Sequence, residues 1–175
     1  MSLAVCPGSF DPVTLGHVDV VRRAAGMFDE VVVAVAHNSA KSPLLTADVR
    51  MRLVRDAVAG IPGVRVVATD GLLADFLRQV GAVAVVKGLR GAADVDAEVA
   101  MALMNRHLSG VETVFVAGDS ALAHIASSLV KDVARHGGPI DDLVPAGVGD
   151  AVRAALRARV DAAPVTEAGP EGSGR

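Results

Sequence analysis

Short Val-rich runs alternate along this chain with longer amphipathic stretches, and that alternation limits the fold more than any other feature. The runs predict strands over residues 3–7, 30–36, 64–68, 82–86 and 112–117. The stretches between them predict helices over 16–27, 47–59, 72–80, 94–108, 127–136 and 147–160. Strands that are apolar throughout and separated by helices imply a parallel sheet covered on both faces. The fold class is therefore α/β, one doubly wound parallel-sheet domain over residues 1–161. A ligand is expected beyond the carboxyl ends of the strands, where the strand order reverses. Residues 162–175 are rich in Gly, Pro, Ala and Glu, have no apolar period, and read as a disordered tail.

Several function classes are excluded early. The apolar runs fall far short of the ~20 residues that a membrane helix needs, so no membrane partner is expected. No basic flank or cleavage pattern precedes the first run, so no signal peptide is read. The lone cysteine, Cys6, cannot form an intrachain disulfide and fits a reducing compartment, the cytoplasm. The net charge of −3, with no Trp or Tyr and only four Phe, argues against nucleic acid as a partner. Any cationic site must be built locally.

The first loop reads Cys6-Pro7-Gly8-Ser9-Phe10-Asp11-Pro12-Val13-Thr14-Leu15-Gly16-His17. A strand enters Gly8, which lets a ligand approach the backbone, and Ser9 offers a hydroxyl. The helix that follows presents free N–H groups to an anion. His17 falls in its first turn, where the positive end of the helix dipole should keep the ring neutral and able to donate one hydrogen bond to a phosphate. A Gly-His pair by itself more commonly just starts a helix; the strand, Gly-Ser and helix around it favour a site. Lys41 is expected in the loop after the second strand, and Lys87 and Arg90, flanking Gly88, after the fourth. Ser127 and Ser128 open a helix, where hydroxyls and free N–H groups suit phosphate oxygens. Cys6 reads as inert core, and His37, His107, His124 and His136 lack metal spacing with one another. Met101 and Met104 read as packing residues, so no metal ligands are expected.

Four segments resemble the phosphopantetheine adenylyltransferases. Thr14-Leu15-Gly16-His17 is similar to the His-x-Gly-His signature of the nucleotidylyltransferases, in a variant with Thr first. The others are Lys87-Gly88-Leu89-Arg90, then Met104-Asn105-Arg106-His107-Leu108, then Ser127-Ser128-Leu129-Val130-Lys131 with Asp132-Val133-Ala134-Arg135. The likeness runs from about Ala4 to Leu156. It implies a Rossmann-like nucleotidyltransferase domain that transfers an adenylyl group from ATP to 4′-phosphopantetheine, forming dephospho-coenzyme A and pyrophosphate. Two alternatives stand beside it. One is a nucleotidyltransferase with another phosphate-bearing acceptor; the other is a non-catalytic paralogue that binds coenzyme A or a nucleotide.

The resemblance also implies residue roles. Catalysis falls to His17, Lys41 and Arg90. ATP would be held by Ser9, Phe10, His17, Gly88, Leu89, Arg90 and Glu98, and by Leu122, Ala123, His124, Ile125, Ala126, Ser127 and Ser128. The acceptor would be held by Ser9, Lys41, Leu73 and Lys87. Mg²⁺ would accompany ATP, and the family suggests a homohexamer. Relatives carry aromatics and a further hydroxyl where this chain has Val95, Ala97, Leu122, His124 and Ala126, which implies weaker ATP binding here. The chemistry is coherent. A phosphate monoester with a second pKa of ~6 is already a nucleophile, so the protein must position it and neutralise charge at the α-phosphate.

Overall fold

The computed structural model describes residues 1–37 and 42–161, so Lys41 and the expected tail, 162–175, lie outside the described residues. Its strands are β1 (Leu3–Gly8), β2 (Glu30–Ala36), β3 (Val64–Thr69), β4 (Ala84–Leu89) and β5 (Glu112–Ala117). The helices are α1 (Leu15–Ala25), α2 (Ala47–Val58), α3 (Leu73–Val80), α4 (Ala92–Ser109), α5 (Ser127–Arg135) and α6 (Val148–Asp161). All strand pairs are parallel, in the order β3-β2-β1-β4-β5. The chain moves outward from β1 to β3, then crosses back to β4 and β5. The order therefore reverses between β1 and β4, which makes the space above their carboxyl ends the expected ligand crevice.

Alternate residues of the strands feed two cores. Ala4 and Cys6 of β1, Val31, Val33 and Val35 of β2, and Ala84 and Val86 of β4 face one side of the sheet. They pack there with Val18 and Val21 of α1, Met51 and Val54 of α2, Val130 of α5 and Val152 of α6. Val5, Val32, Ala34 and Val85 face the other side, against Phe76 and Leu77 of α3. Period-two alternation between two apolar faces is what makes these runs read as uniformly hydrophobic.

The structure departs from the sequence reading in four respects. The fourth strand starts two residues later than expected and runs on to Leu89, because Ala82 N–H still bonds the Leu77 carbonyl (3.0 Å) behind the left-handed Gly81 that ends α3. Lys87, Gly88 and Leu89 pair with Phe115, Val116 and Ala117 of β5, so Lys87 stands in the strand and not in a loop after it. The edge strands β3 and β5 are only partly covered. Met101 and Met104 of α4 are 57% and 56% exposed, so they do not pack within the chain as expected.

Candidate active site

β1 delivers Gly8 and Ser9 to the sheet's carboxyl edge, and the chain then folds back into α1. A Cβ on Gly8 would sit 3.0 Å from Phe10 Cε2, so the glycine makes room for the Phe10 ring. Phe10 has a φ of 47° and is 5% exposed, with its ring centroid 5.0 Å from that of His17. It forms an apolar support under the imidazole.

Thr14 is the N-cap of α1, and its Oγ1 accepts the backbone N–H of His17 at 3.4 Å. In return, His17 Nδ1 accepts the backbone N–H of Thr14 at 3.0 Å, completing a capping box. A backbone amide can only donate. Nδ1 must therefore be unprotonated, and the proton of the neutral ring is on Nε2. The pKa of His17 is lowered to about 4, chiefly by burial and further by the nearby Arg90 and Lys87 charges. The ring is neutral as the sequence implied, but burial and two cations are the causes here.

Lys87 of β4 and Arg90, just beyond that strand, are those cations, and α4 supplies their carboxylate partners. Lys87 Nζ lies 3.2 Å from Glu98 Oε2. Arg90 grips Asp94 in a fork, Nε to Oδ2 at 3.0 Å and Nη2 to Oδ1 at 2.9 Å, while Nη1 reaches the Ile125 carbonyl at 3.4 Å. The Asp94 carboxyl is held below the usual range, first by this hydrogen bond to the Arg90 side chain. Gly88 between them is required by packing, since a Cβ would lie 2.4 Å from Val20 Cγ2 of α1.

α5 closes the cleft. Its N-cap, Ala126, provides no side-chain cap, so the first-turn amides lack intrahelical partners. Ser127 Oγ does not offer itself to a ligand as expected: it donates to the Pro12 carbonyl at 2.8 Å. Ser128 is exposed at the helix start.

The resulting cleft has a volume of about 540 Å³ and lies above the β1/β4 reversal. Ser9, Phe10, His17, Lys87, Gly88, Leu89, Arg90, Glu98, Leu122, Ile125, Ala126, Ser127 and Ser128 all line it. Ala123, His124 and Leu73 do not. Leu73 begins α3 and packs on the opposite face of the sheet, with the Val5 and Leu77 cluster. Among the described residues no group of three or more His, Cys, Asp or Glu could hold a metal ion. A second cavity of about 470 Å³, between α5 and α6, shares no lining residue with the cleft.

Two buried residues, Asp11 and Arg50, and the half-buried Lys131, to none of which the sequence reading gave a role, hold this cleft together. The Asp11 carboxylate accepts Lys131 Nζ (2.8 Å) from α5 and the backbone N–H groups of Leu44 (2.9 Å) and Leu45 (2.8 Å). Burial would raise its pKa, but these donors outweigh burial and hold it below the usual range. Arg50 of α2 donates through Nη1 to the Ser9 carbonyl at 2.6 Å and the Ala36 carbonyl at 2.9 Å. The available signal was modest: an Asp-Pro directly after Ser-Phe, and a Lys one turn beyond paired serines.

Chemically, the cleft offers donors and positive charge, and the carboxylates that line it, Asp19, Asp94, Glu98 and Asp119, are already hydrogen-bonded or ion-paired. His17 is too weak a base to act near neutrality, and burial pushes the Cys6 thiol up to about 12. Such a site can bind phosphates and stabilise charge developing on them.

Comparison with known proteins agrees with this geometry. The cytidylyltransferase-like family model matches residues 5–133. A phosphopantetheine adenylyltransferase of Bifidobacterium longum is 52% identical over 147 residues, covering 83% of this chain and 89% of that protein. One from a Nocardioides species is 50% identical over 158 residues, covering 90% and 99%. A solved structure from Vibrio parahaemolyticus, provisionally assigned as a nicotinate-nucleotide adenylyltransferase, superposes with a TM-score of 0.63 over 89% of this chain and 95% of its own. At 19% identity it speaks for the fold alone. With half of its residues shared along nearly its whole described length, the chain belongs to the phosphopantetheine adenylyltransferases, a branch of the cytidylyltransferase-like family.

Proposed function

We propose that this enzyme transfers the adenylyl group of ATP to 4′-phosphopantetheine, releasing pyrophosphate and forming dephospho-coenzyme A. The observation that carries the reading is the neutral imidazole of His17, its Nε2–H fixed as a donor beside Lys87 and Arg90 in a cleft whose carboxylates are already engaged. An acceptor that is already a phosphate dianion needs no base. One of its oxygens attacks the α-phosphorus, the bond to the bridging oxygen of the β-phosphate breaks, and pyrophosphate departs with the electron pair. His17 and Arg90 are assigned to the charge that builds on the α-phosphate, and the first-turn amides of α5 with Ser128 to the departing phosphates. Lys87 and Lys41 are assigned to the acceptor phosphate, together with Ser9.

The cleft's carboxylates are engaged: Asp94 by Arg90, Glu98 by Lys87, Asp19 by Arg23, and Asp119 by the backbone N–H of Ala121. Mg²⁺ would thus arrive with ATP, held by phosphates and water. Val99, Met101, Leu103, Met104 and Leu108 give α4 an exposed apolar face that supports association with further copies of the chain, up to the family's hexamer. The single, buried Cys6 supports a cytoplasmic setting.

A pyrophosphate-release assay with ATP and 4′-phosphopantetheine tests the reading. Turnover only with a different phosphorylated acceptor, such as nicotinate mononucleotide, would replace the substrate. Binding of coenzyme A without any turnover would replace catalysis with sensing.

A further inference from the structure

Arg50 is the largest fully buried side chain of the protein, 2% exposed. Its Nη1 ties two backbone carbonyls, Ser9 just beyond β1 and Ala36 at the end of β2. Nε is buried and has no partner among the described residues. No carboxylate among them pairs with the guanidinium, and residues 38–41, beyond Ala36, read Asn-Ser-Ala-Lys and hold none.

That arrangement is an expensive way to join two strand ends. A neutral amide or hydroxyl could donate to the same carbonyls without burying an ion, and a buried cation lacking a counter-charge is strongly disfavoured. The position of the cation supplies the reason. Ser9 lines the cleft, and the guanidinium, which does not line it, bonds the carbonyl of the same residue. A phosphate bound at Ser9 would lie one peptide away, across a low-dielectric layer where charges interact strongly.

We propose that Arg50 is a positioning residue of the anion site. It fixes the Ser9 peptide at the cleft floor, and a ligand's phosphates supply the counter-charge that the described residues withhold from its guanidinium. The ligand class rests on the adenylyltransferase reading; the role of the charge does not. Arg50 is distinct from Lys87 and Arg90, whose charges are matched by Glu98 and Asp94 before any ligand enters.

The test uses the full chain with Arg50→Lys, which keeps the charge, and Arg50→Gln, which keeps a donor without it. Pyrophosphate is the probe, titrated calorimetrically, and adenylyl transfer is measured alongside. Arg50→Gln should weaken pyrophosphate at least 10-fold, which is about 1.4 kcal/mol. It should also lower kcat at least as much, while Arg50→Lys stays within about 3-fold of wild type in both. A purely structural tie would lower the melting temperature of Arg50→Gln and leave pyrophosphate affinity unchanged; that result overturns the proposal. If Arg50→Gln does not fold, Arg50→Lys decides alone: a loss of pyrophosphate affinity above 10-fold there refutes the role of the charge. A wild-type protein that binds pyrophosphate but transfers no adenylyl group would refute the proposed reaction and leave this test intact.

Discussion

Lowering the pH from 7.5 to 5.0 should leave the imidazole of His17 uncharged, although a free histidine would be almost fully protonated at the lower value. The ring titrates at about 4 in the folded protein against 6.5 in the ordinary case. Between those values the unfolded chain binds the extra proton and the native one does not, so stability falls as the pH drops through that window. At pH 5.0 the loss attributable to this residue is about 2 kcal/mol, from ~1.36 kcal/mol for each pH unit below 6.5. Urea denaturation of the wild type and of His17→Gln at both pH values isolates the contribution, since the other histidines are common to both. Nitrogen-15 NMR of the ring gives the tautomer directly and should place the proton on Nε2. The acid limb of turnover is a separate matter, because an acceptor phosphate with a second pKa of ~6 loses nucleophilicity over the same range. Titration of His17 near 6.5, or a proton on Nδ1, would refute the capping-box argument and the donor role derived from it. If both hold, His17→Ala should lower kcat by about 10²-fold or more.

Gly88→Ala should cost about 1–3 kcal/mol by forcing α1 away from β4, with Val20→Ala recovering much of the melting temperature. Ala126→Ser should stabilise the protein by about 0.5–2 kcal/mol, because the residue already has N-cap geometry without a capping side chain. The same change should tighten ATP in calorimetry if its hydroxyl reaches the nucleotide. Lys87→Ala should raise KM for the phosphorylated acceptor more than for ATP, and a selective loss of ATP would mean that the two subsites are interchanged.

The parallel, doubly wound class was legible because uniformly apolar runs separated by helices must be covered on both faces; the strand order, with β1 in the middle and the reversal beside it, carried no such local signal. Strand ends were less legible. Lys87 and Gly88 interrupt the apolar pattern of β4, yet backbone pairing to β5 carries the strand through them. Among site residues, those whose backbones sit at element ends were found: Ser9, His17, Arg90 and Ser128 all line the cleft. Residues that act through long-range side-chain contacts carried no local pattern. Arg50 looks like any helical arginine until Ser9 and Ala36 are seen to converge on it. Ser127 shows the reverse error, a hydroxyl that looks available in sequence and is claimed by a carbonyl 115 positions earlier.

The loop that follows β1 leaves the ribosome long before α5 does, yet it cannot be completed then. Its Asp11 waits for Lys131, 120 residues later, and Leu15 N–H for the Leu143 carbonyl. A buried carboxylate without its cation is unstable, so the loop has little reason to adopt its final shape while α5 is still unsynthesised. The growing chain can thus assemble β1, β2 and β3 from neighbouring contacts and still present no finished site for ATP. Nascent chains stopped before residue 131 should be sheet-forming but inert, and competence should arrive late and abruptly, with the last quarter of the described chain.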